Sequence, residues 1–306
     1  MTKENVNFPK VVVIVLNWNN YNDTAECIHH LEKLDYPNFS IVILDNHSVD
    51  GSAEKLKHEF EKTHTIIINS ENLGYTGGNN VGMKVALNDG ADYMLVLNND
   101  TLVKDQLFLN KMIEFVKDKP NVGLMGPRIA STNGKLIFTQ YYSSRWWSKI
   151  ESKYSLEFDK YGHEARLSSR LLGAALLINV KLINKIGMFD ESFFMYSDED
   201  DLALRAIIDG FDVVYFQSLT VYRKTEKDGM EYNVRSIYYT TRNKVHMLKK
   251  NLKGTFKIYM LIYNTLGEIR KIIFRFLRGN FKLSYFSVVG LIDGLRGTKG
   301  LNDKIK

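Results

Sequence analysis

Short apolar runs alternate with amphipathic stretches through the first hundred residues of the chain. Four runs rich in Val, Ile and Leu have the length and the polar boundaries of buried strands, and they cover residues 11–16, 40–44, 65–68 and 93–97. Apolar residues between these runs recur at helical spacing, which predicts helices over residues 22–34 and 52–62 and a third that ends at Leu87. This order, βαβαβαβ, is typical of an α/β fold whose mostly parallel sheet has helices on both faces.

The second half of the chain is less regular and ends in a segment of different character. Residues 122–125 and 171–178 predict two further strands. From residue 256 to residue 277, aromatic and aliphatic residues recur at helical spacing with Lys and Arg among them, which predicts C-terminal amphipathic helices. We therefore divide the chain into an α/β domain over residues 1–248 and a basic helical tail over residues 249–306.

Charge is distributed unevenly along the 306 residues. The 41 Lys and Arg and 35 Asp and Glu give a net charge of +6, but 13 of the basic and 3 of the acidic residues lie from Lys249 onward. A basic amphipathic tail favours an anionic membrane surface as its partner. Packing against the main domain, or against a second subunit in a homodimer, is the alternative. Nucleic acid is not expected as a partner, because no known binding module surrounds the charge.

The cysteine count and the lengths of the apolar runs indicate the cellular compartment of the protein. A single cysteine, Cys27, excludes a disulfide framework and fits a reducing compartment. The first apolar run is too short for a signal peptide, and no run is long enough to span a bilayer. We expect a cytoplasmic protein that is attached peripherally to the inner face of the plasma membrane through its tail.

Polar residues stand where three of the predicted strands end: Asn17, Asp45 and Asp100. In sheets of this kind, ligands bind in the crevice beyond the carboxyl ends of the strands. A carboxylate placed there can hold a divalent cation that also contacts phosphate oxygens, which makes Asn98-Asn99-Asp100 a candidate metal site. An Asx turn that ends the strand is the structural alternative for this tripeptide.

Four consecutive carboxylates, Asp198-Glu199-Asp200-Asp201, introduce an apolar helical pattern that is closed by Gly210. They suit a helix N-terminus with Ser197 as its N-cap, and Asp201 has Arg205 at the i+4 position. However, four acids exceed what a cap requires, and neighbouring like charges disfavour one another's ionisation. We therefore expect one of them to accept protons near neutral pH, as a general base does.

The acid run is one of several segments that follow one another in a specific order. The others are VLNWN (15–19), LDNHSVDGS (44–52), NLGYTGGNN (72–80), Asn98-Asn99-Asp100, GAALLI (173–178), GMFDE (187–191) and YYTTRN (238–243). In this order they resemble the inverting nucleotide-sugar glycosyltransferases of family 2, particularly a bacterial rhamnosyltransferase-like branch. The resemblance runs from about residue 10 to residue 250. It implies the GT-A fold, a Rossmann-like arrangement, with residues 1–248 as the catalytic domain.

The resemblance also implies roles for individual residues. Asp45 would read the nucleobase, and Asp100 would hold Mg²⁺ or Mn²⁺ on the donor diphosphate. The residues implied in donor binding are Asn17, Asp45, Gly77, Gly78, Asn79, Asn99 and Arg223. The catalytic base falls on Glu199, with Asp198 as the competing residue.

Two positions depart from the pattern of the family. Arg223 stands where many relatives have a His that approaches the metal and the diphosphate. An arginine cannot bind a cation, but it can pair with phosphate oxygens. Asn98 replaces an Asp, so the site has fewer anionic ligands, and we expect metal binding to be weak without donor.

The sequence thus predicts an inverting glycosyltransferase that moves a sugar from dTDP-L-rhamnose or a UDP-sugar. The acceptor would be a hydroxyl of a lipid-linked glycan in cell-surface polysaccharide synthesis. Two alternatives stay open at this point: an inactive homologue that acts as a membrane-associated assembly partner, and a sugar nucleotidyltransferase. The second would favour a Gly-rich loop with Lys or Arg after the first strand, and residues 17–20 contain none of these.

Overall fold

The computed structural model describes residues 8–138, 147–224, 233–302 and 305. In its first part, strands and helices alternate as β1 (Val11–Asn17), α1 (Tyr21–Leu31), β2 (Phe39–Asp45), α2 (Ser52–Phe60), β3 (Thr65–Ile68), α3 (Gly74–Asn88) and β4 (Tyr93–Asn98). These four strands pair in parallel in the order β3-β2-β1-β4. The predicted βαβαβαβ unit is confirmed, and each strand boundary lies within one residue of its predicted place.

The second part adds strands of mixed orientation and most of the helices. It consists of β5 (Thr101–Leu102), α4 (Phe108–Val116), β6 (Val122–Ser131), β7 (Leu136–Phe138), α5 (Trp147–Lys153), β8 (Ala165–Leu167), β9 (Ala175–Asn179), α6 (Val180–Ile186), a 3₁₀ turn (Glu191–Phe193), α7 (Asp198–Ile208), β10 (Asp212–Arg223), α8 (Val234–Asn251), α9 (Gly254–Leu277) and α10 (Phe281–Arg296). The sheet has the order β3-β2-β1-β4-β9-β6-β10-β5. β9 lies antiparallel to β4 and to β6, whereas β6 and β10 are parallel. The parallel arrangement therefore covers the first four strands and the β6–β10 pair of a mixed sheet.

The sheet is buried on both faces because successive side chains point into two different helical layers. In β1, Val11, Val13 and Val15 belong to the core formed with α1, α2 and α4. Val12 and Ile14 belong to the core formed with α3, α6 and α7. All five side chains are fully buried, and each such burial stabilises the fold by about 1.5–3 kcal/mol. The predicted α/β class, with a central sheet between helices and further helices at the C-terminus, is confirmed.

The glycine-rich segment at residues 72–80 is mostly helical. α3 begins inside it at Gly74 and includes the next two glycines. A Cβ on Gly78 would lie 2.7 Å from Leu16 Cδ1, which is closer than real side-chain contacts allow. The glycines therefore let α3 approach the sheet more closely than a larger residue would.

The predicted strand at residues 171–178 is shorter in the structure, where β9 begins at Ala175. The residues before it hydrogen-bond to other parts of the chain. Gly173 O accepts a hydrogen bond from the Tyr75 hydroxyl at 2.8 Å, and Ala174 O accepts one from the backbone N–H of Asn98 at 3.0 Å. This stretch therefore belongs to the crevice at the end of β4 and not to the sheet.

α10 packs against α8 with very little space between the two backbones. A Cβ on Gly290 would lie 2.7 Å from Tyr238 O, and a Cβ on Gly294 would lie 2.8 Å from Arg242 O. Glycines spaced four residues apart allow this close approach. The domain boundary predicted at residue 248 falls inside α8, so the tail continues directly from a helix of the main domain.

Gly290→Ala is expected to destabilise the protein by about 1–3 kcal/mol, because the added methyl group needs space that Tyr238 O occupies. Gly267→Ala in α9 is the matched control, since a Cβ there meets no atom within 4 Å. The control should stabilise by roughly 0.5–1 kcal/mol, the ordinary helical preference for alanine. Urea unfolding measures both changes. Equal stabilisation by both substitutions would contradict the close packing of α10 on α8.

Candidate active site

Asn17 and Asp45 lie side by side at the ends of β1 and β2. They are register partners, and Asn17 Nδ2 donates to Asp45 Oδ2 at 2.7 Å. The other carboxylate oxygen, Oδ1, accepts from the backbone N–H of Ser48 at 2.8 Å. Asn17 and Asp45 are both fully buried. Asp45 is therefore held in place by protein donors at the carboxyl end of β2.

A line of hydrogen bonds joins this pair to the end of β4. Thr24 Oγ1 donates to Asn17 Oδ1 at 2.8 Å, and Asn99 Nδ2 donates to Thr24 Oγ1 at 2.9 Å. Three of the predicted donor-binding residues, Asn17, Asp45 and Asn99, are thus connected although they come from distant stretches of the chain.

Asp100 and Arg223 form an ion pair at the edge of the sheet. Arg223 is the register partner of Thr101 in the β5–β10 pair, and its Nε lies 2.7 Å from Asp100 Oδ2. Asp100 Oδ1 is buried and has no hydrogen-bond partner in the described part of the chain. A buried carboxylate oxygen without a donor fits the role of a metal ligand, so Asp100 fits the predicted cation.

Asp100 would be a nearly solitary protein ligand. Within residues 8–138, 147–224, 233–302 and 305, no group of three or more His, Cys, Asp or Glu could hold a metal ion. Magnesium is often bound through one or two carboxylates, with water and substrate phosphates as its remaining ligands. A cation at Asp100 would therefore depend on the donor diphosphate for several of its ligands.

Gly77, Gly78 and Asn79 are buried inside α3. Asn79 Nδ2 donates to Tyr75 O at 2.9 Å, within the same helix. The two glycines serve the packing of α3 described above. Contact of these three residues with the donor stays a prediction.

The four consecutive acids at the start of α7 divide into two pairs. Asp200 accepts two hydrogen bonds from Arg170, one from Nε at 2.8 Å and one from Nη2 at 3.2 Å. Asp201 lies 2.7 Å from Arg205 Nε, the predicted i+4 pair, and also accepts from Asn251 Nδ2 at 2.6 Å. Asp200 and Asp201 are buried, and each is neutralised by an arginine.

Asp198 and Glu199 form the second pair, and each affects the pKa of the other. Asp198 Oδ2 is buried and has no hydrogen-bond partner in the described part of the chain. Burial, together with the neighbouring charge of Glu199, raises the pKa of Asp198 well above its usual range. Burial and the charge of Asp200 raise the pKa of Glu199 to about 7, against the opposing effect of Arg170. Asp198 therefore holds the proton of the pair most firmly, and Glu199 gains and loses a proton near neutral pH.

A cavity of about 290 Å³ joins the acid pair to the edge of the sheet. Its wall includes Asp198, Glu199, Arg223, Asn98, Tyr75, Gly173, Met195 and Tyr196. Burial raises the pKa of Tyr75 well above its usual range, so its hydroxyl remains a neutral donor. The wall thus combines a carboxylate that titrates near neutrality with a guanidinium group.

The sequence does not predict two of the residues that shape this site. Tyr75 lies in the glycine-rich segment at residues 72–80, and no local pattern there distinguishes it as a cavity residue. Arg170 pairs with Asp200 across 30 positions of the chain, a separation that no local spacing rule reveals. Both residues are recognised from tertiary contacts.

Comparisons with known proteins identify the family. The family described as Glycosyl transferase family 2 matches residues 12–172. The chain is 21% identical over 302 residues to the dTDP-rhamnosyl transferase RfbF of Shigella flexneri, with 92% of this chain and 94% of that protein covered. It is 23% identical over 202 residues to the low-salt glycan biosynthesis hexosyltransferase Agl10 of Haloferax volcanii, with 63% and 60% covered.

Solved structures share the fold. TarS 1–349 of S. aureus in complex with UDP-GlcNAc has a TM-score of 0.66 at 15% identity, with 94% of this chain and 81% of that chain covered. The mannosyltransferase PcManGT of Pyrobaculum calidifontis in complex with GDP-Man and Mn²⁺ has a TM-score of 0.60 at 13% identity, with 95% and 88% covered. The chain therefore belongs to glycosyltransferase family 2 and has the GT-A fold.

Proposed function

We propose that the chain transfers a sugar, with inversion, from a nucleoside-diphosphate donor to a hydroxyl group of a glycan. The observation that carries the proposal is the shared cavity wall, in which Glu199, with its raised pKa, accompanies Arg223. The donor class is supported by the relatives, since RfbF is a dTDP-rhamnosyl transferase and TarS is solved with UDP-GlcNAc. We accordingly favour dTDP-L-rhamnose or a UDP-sugar as the donor.

In the proposed step, the acceptor oxygen attacks the anomeric carbon while Glu199 takes the proton of that hydroxyl. A bond forms between the acceptor oxygen and the sugar, and the bond from the sugar to the diphosphate oxygen breaks. The nucleoside diphosphate leaves with the electron pair, and attack from the opposite face inverts the configuration. Asp198, whose pKa is raised well above its usual range, keeps its proton and would donate it in a hydrogen bond that orients Glu199.

Arg223 would stabilise the charge on the leaving diphosphate. Its Nε is bonded to Asp100, whereas its Nη1 and Nη2 donate to no acceptor in the described ranges. These two groups are available to pair with phosphate oxygens. A divalent cation bound at Asp100 would supply Lewis-acid stabilisation of the same oxygens, and PcManGT is solved with Mn²⁺.

We further propose that the acceptor is lipid-linked and that the chain acts at the inner face of the plasma membrane. Support comes from α9. In an ordinary surface helix the apolar face is buried, whereas in α9 polar side chains are buried and large apolar side chains are exposed. Its buried residues are Met260, Asn264 and Glu268. Its exposed residues include the large apolar side chains Ile258, Tyr259, Ile262, Leu266, Ile269, Ile273, Phe274, Phe276 and Leu277. An exposed apolar patch of this size marks a binding surface.

α10 likewise buries mostly small residues and exposes large apolar ones. Its buried residues are Ser284, Ser287, Gly290, Leu291 and Gly294. Its exposed apolar residues are Phe281, Tyr285, Val288, Ile292 and Leu295. Small residues inside a helix pair and large apolar residues outside are typical of helices that face lipid.

Basic residues near these apolar faces favour an anionic lipid surface as the partner. Along the two helices and the turn between them lie Lys257, Arg270, Lys271, Arg275, Arg278 and Lys282. Basic residues near a membrane surface gain about 1 kcal/mol each from anionic headgroups, whereas a second copy would bring like charges together. We therefore propose that α9 and α10 lie flat on an anionic bilayer. In the part of the chain that the structure describes, no helix has the length and apolar character needed to cross a membrane.

Glu199→Gln is expected to lower kcat by about 10²–10⁴-fold with donor affinity unchanged, because the amide has the same shape but cannot accept the proton. In the unmodified protein, kcat should rise with pH along an acidic limb with an apparent pKa of about 7, since Glu199 must be ionised to act. Asp198→Asn is the control and should keep most of the turnover, because Asp198 holds its proton and is not the base in the proposed step. Near-normal turnover of Glu199→Gln at saturating donor would show that another group is the base.

Asp100→Ala is expected to abolish the dependence of turnover on Mg²⁺ or Mn²⁺. Arg223→Gln should raise the KM for the donor by roughly 10–100-fold, the usual effect of losing a charged hydrogen bond. Lys224→Gln is the matched control, because this neighbouring cation pairs with Asp23 at 2.8 Å and is not in the cavity wall. Metal titrations of activity and Mn²⁺ binding followed by EPR measure these effects. An unchanged metal response in Asp100→Ala would remove the metal assignment.

Flotation with liposomes tests the membrane proposal. The unmodified protein should float with vesicles that contain anionic lipid and remain below neutral ones. A triple variant, Ile262→Ser, Leu266→Ser and Ile269→Ser, should lose flotation. The control triple variant, Val49→Ser, Ile68→Ser and Leu107→Ser, changes exposed apolar residues elsewhere and should keep it. Equal flotation of both variants would contradict the membrane proposal. So would a dimer of the unmodified protein that is lost in the first triple variant and kept in the control.

A further inference from the structure

The loop that delivers Asp198 and Glu199 to the cavity has an unusual backbone. Phe194, Tyr196 and Ser197 have positive φ values of 64°, 63° and 62°. Residues other than glycine rarely adopt this left-handed conformation, so three of them close together need support from their surroundings. Ser197, predicted as a side-chain N-cap, makes no capping hydrogen bond in this conformation.

Part of this support comes from a single amide on α8. Asn243 Nδ2 donates to Phe193 O at 3.1 Å, to Met195 O at 2.8 Å and to Tyr196 O at 2.8 Å. Asn243 is 1% exposed, so these bonds are shielded from water. One side chain therefore gathers three carbonyl groups of the loop.

A buried arginine fixes the orientation of that amide. Arg242 Nε donates to Asn243 Oδ1 at 2.8 Å, and its Nη2 donates to Phe193 O at 3.1 Å. The guanidinium lies 4.7 Å from the centre of the Tyr239 ring, and the residue is fully buried. Its Nη1 donates to Gly300 O at 2.6 Å, which connects the loop to the segment that follows α10.

That segment is tied to the same region by three more hydrogen bonds. Gly300 N–H donates to Ser192 O at 2.8 Å, just before the loop. The backbone N–H of Asn302 donates to the Tyr239 hydroxyl at 2.9 Å, and Asn302 Nδ2 donates to the Tyr238 hydroxyl at 2.7 Å. The chain thus leaves the main domain through α9 and α10 and returns to hold the loop that carries the acids.

We propose that Arg242, Asn243 and Asn302 form a clamp that positions the base Glu199, so that the end of the tail is a working part of the active site. The inference rests on the proposed role of Glu199. In the proposed step, the three residues of the clamp contact neither donor nor acceptor. They act on Glu199 through the backbone of residues 193–197. Loss of the clamp should therefore alter the orientation and surroundings of Glu199 and leave donor binding intact.

Kinetics of three full-length variants test the clamp at a temperature where each is folded by circular dichroism. Asn243→Ala should lower kcat at least tenfold and Asn302→Ala severalfold. In both, the acidic limb of the pH profile of kcat should move, and the KM for the donor should stay within twofold. Leu301→Ala is the matched control, because this neighbour of Gly300 and Asn302 is 52% exposed and should behave as the unmodified protein does.

A purely structural role gives a different result. The melting temperatures of Asn243→Ala and Asn302→Ala would then fall while kcat and its pH profile stay unchanged, and this would overturn the clamp. If Asn243→Ala does not fold, kcat and its pH profile in Asn302→Ala test the clamp. Failure of the proposed base is recognised separately, because Glu199→Gln would then retain turnover.

Discussion

The pairing of two arginines with two of four adjacent carboxylates is the interaction on which the site depends. Arg170 neutralises Asp200, and Arg205 neutralises Asp201. A buried charge without such a partner is costly, so the remaining pair, Asp198 and Glu199, keeps a proton more firmly than free carboxyls do. The arginines thus divide one run of acids into a neutralised support and a pair that exchanges a proton near neutral pH.

Other parts of the fold supply further features that suit glycosyl transfer: buried polar side chains, a positive charge and an exposed apolar surface. The ends of the parallel strands bring Asn17, Asp45 and Asn99 into one hydrogen-bonded line. The β5–β10 pairing brings Arg223 to Asp100, where a diphosphate would need positive charge. The inverted faces of α9 and α10 suit the surface that would present a lipid-linked acceptor. Of these features, the structure brings the acid pair and Arg223 into one cavity beyond β4.

The sequence predicts those features that depend on neighbours in the chain. Strand positions follow from short apolar runs, and the pair of Asp201 with Arg205 follows from helical spacing. It does not predict features set by distant contacts. Ser197 is not a side-chain cap, because α8 shapes the loop around it. Likewise, amphipathic periodicity marks two faces of α9 but cannot tell which one is buried, and the structure buries Asn264 and Glu268.

The titration of Glu199 is the direct test of its role as the base. Carbon-13 NMR of the protein labelled at its glutamate side-chain carboxyls, compared with Glu199→Gln to assign the signal, follows that one group from pH 4 to pH 9 without any substrate. We expect the Glu199 signal to titrate with a pKa raised to about 7. A Glu199 signal that titrates in the ordinary range of an exposed glutamate, near pH 4.3, would contradict it.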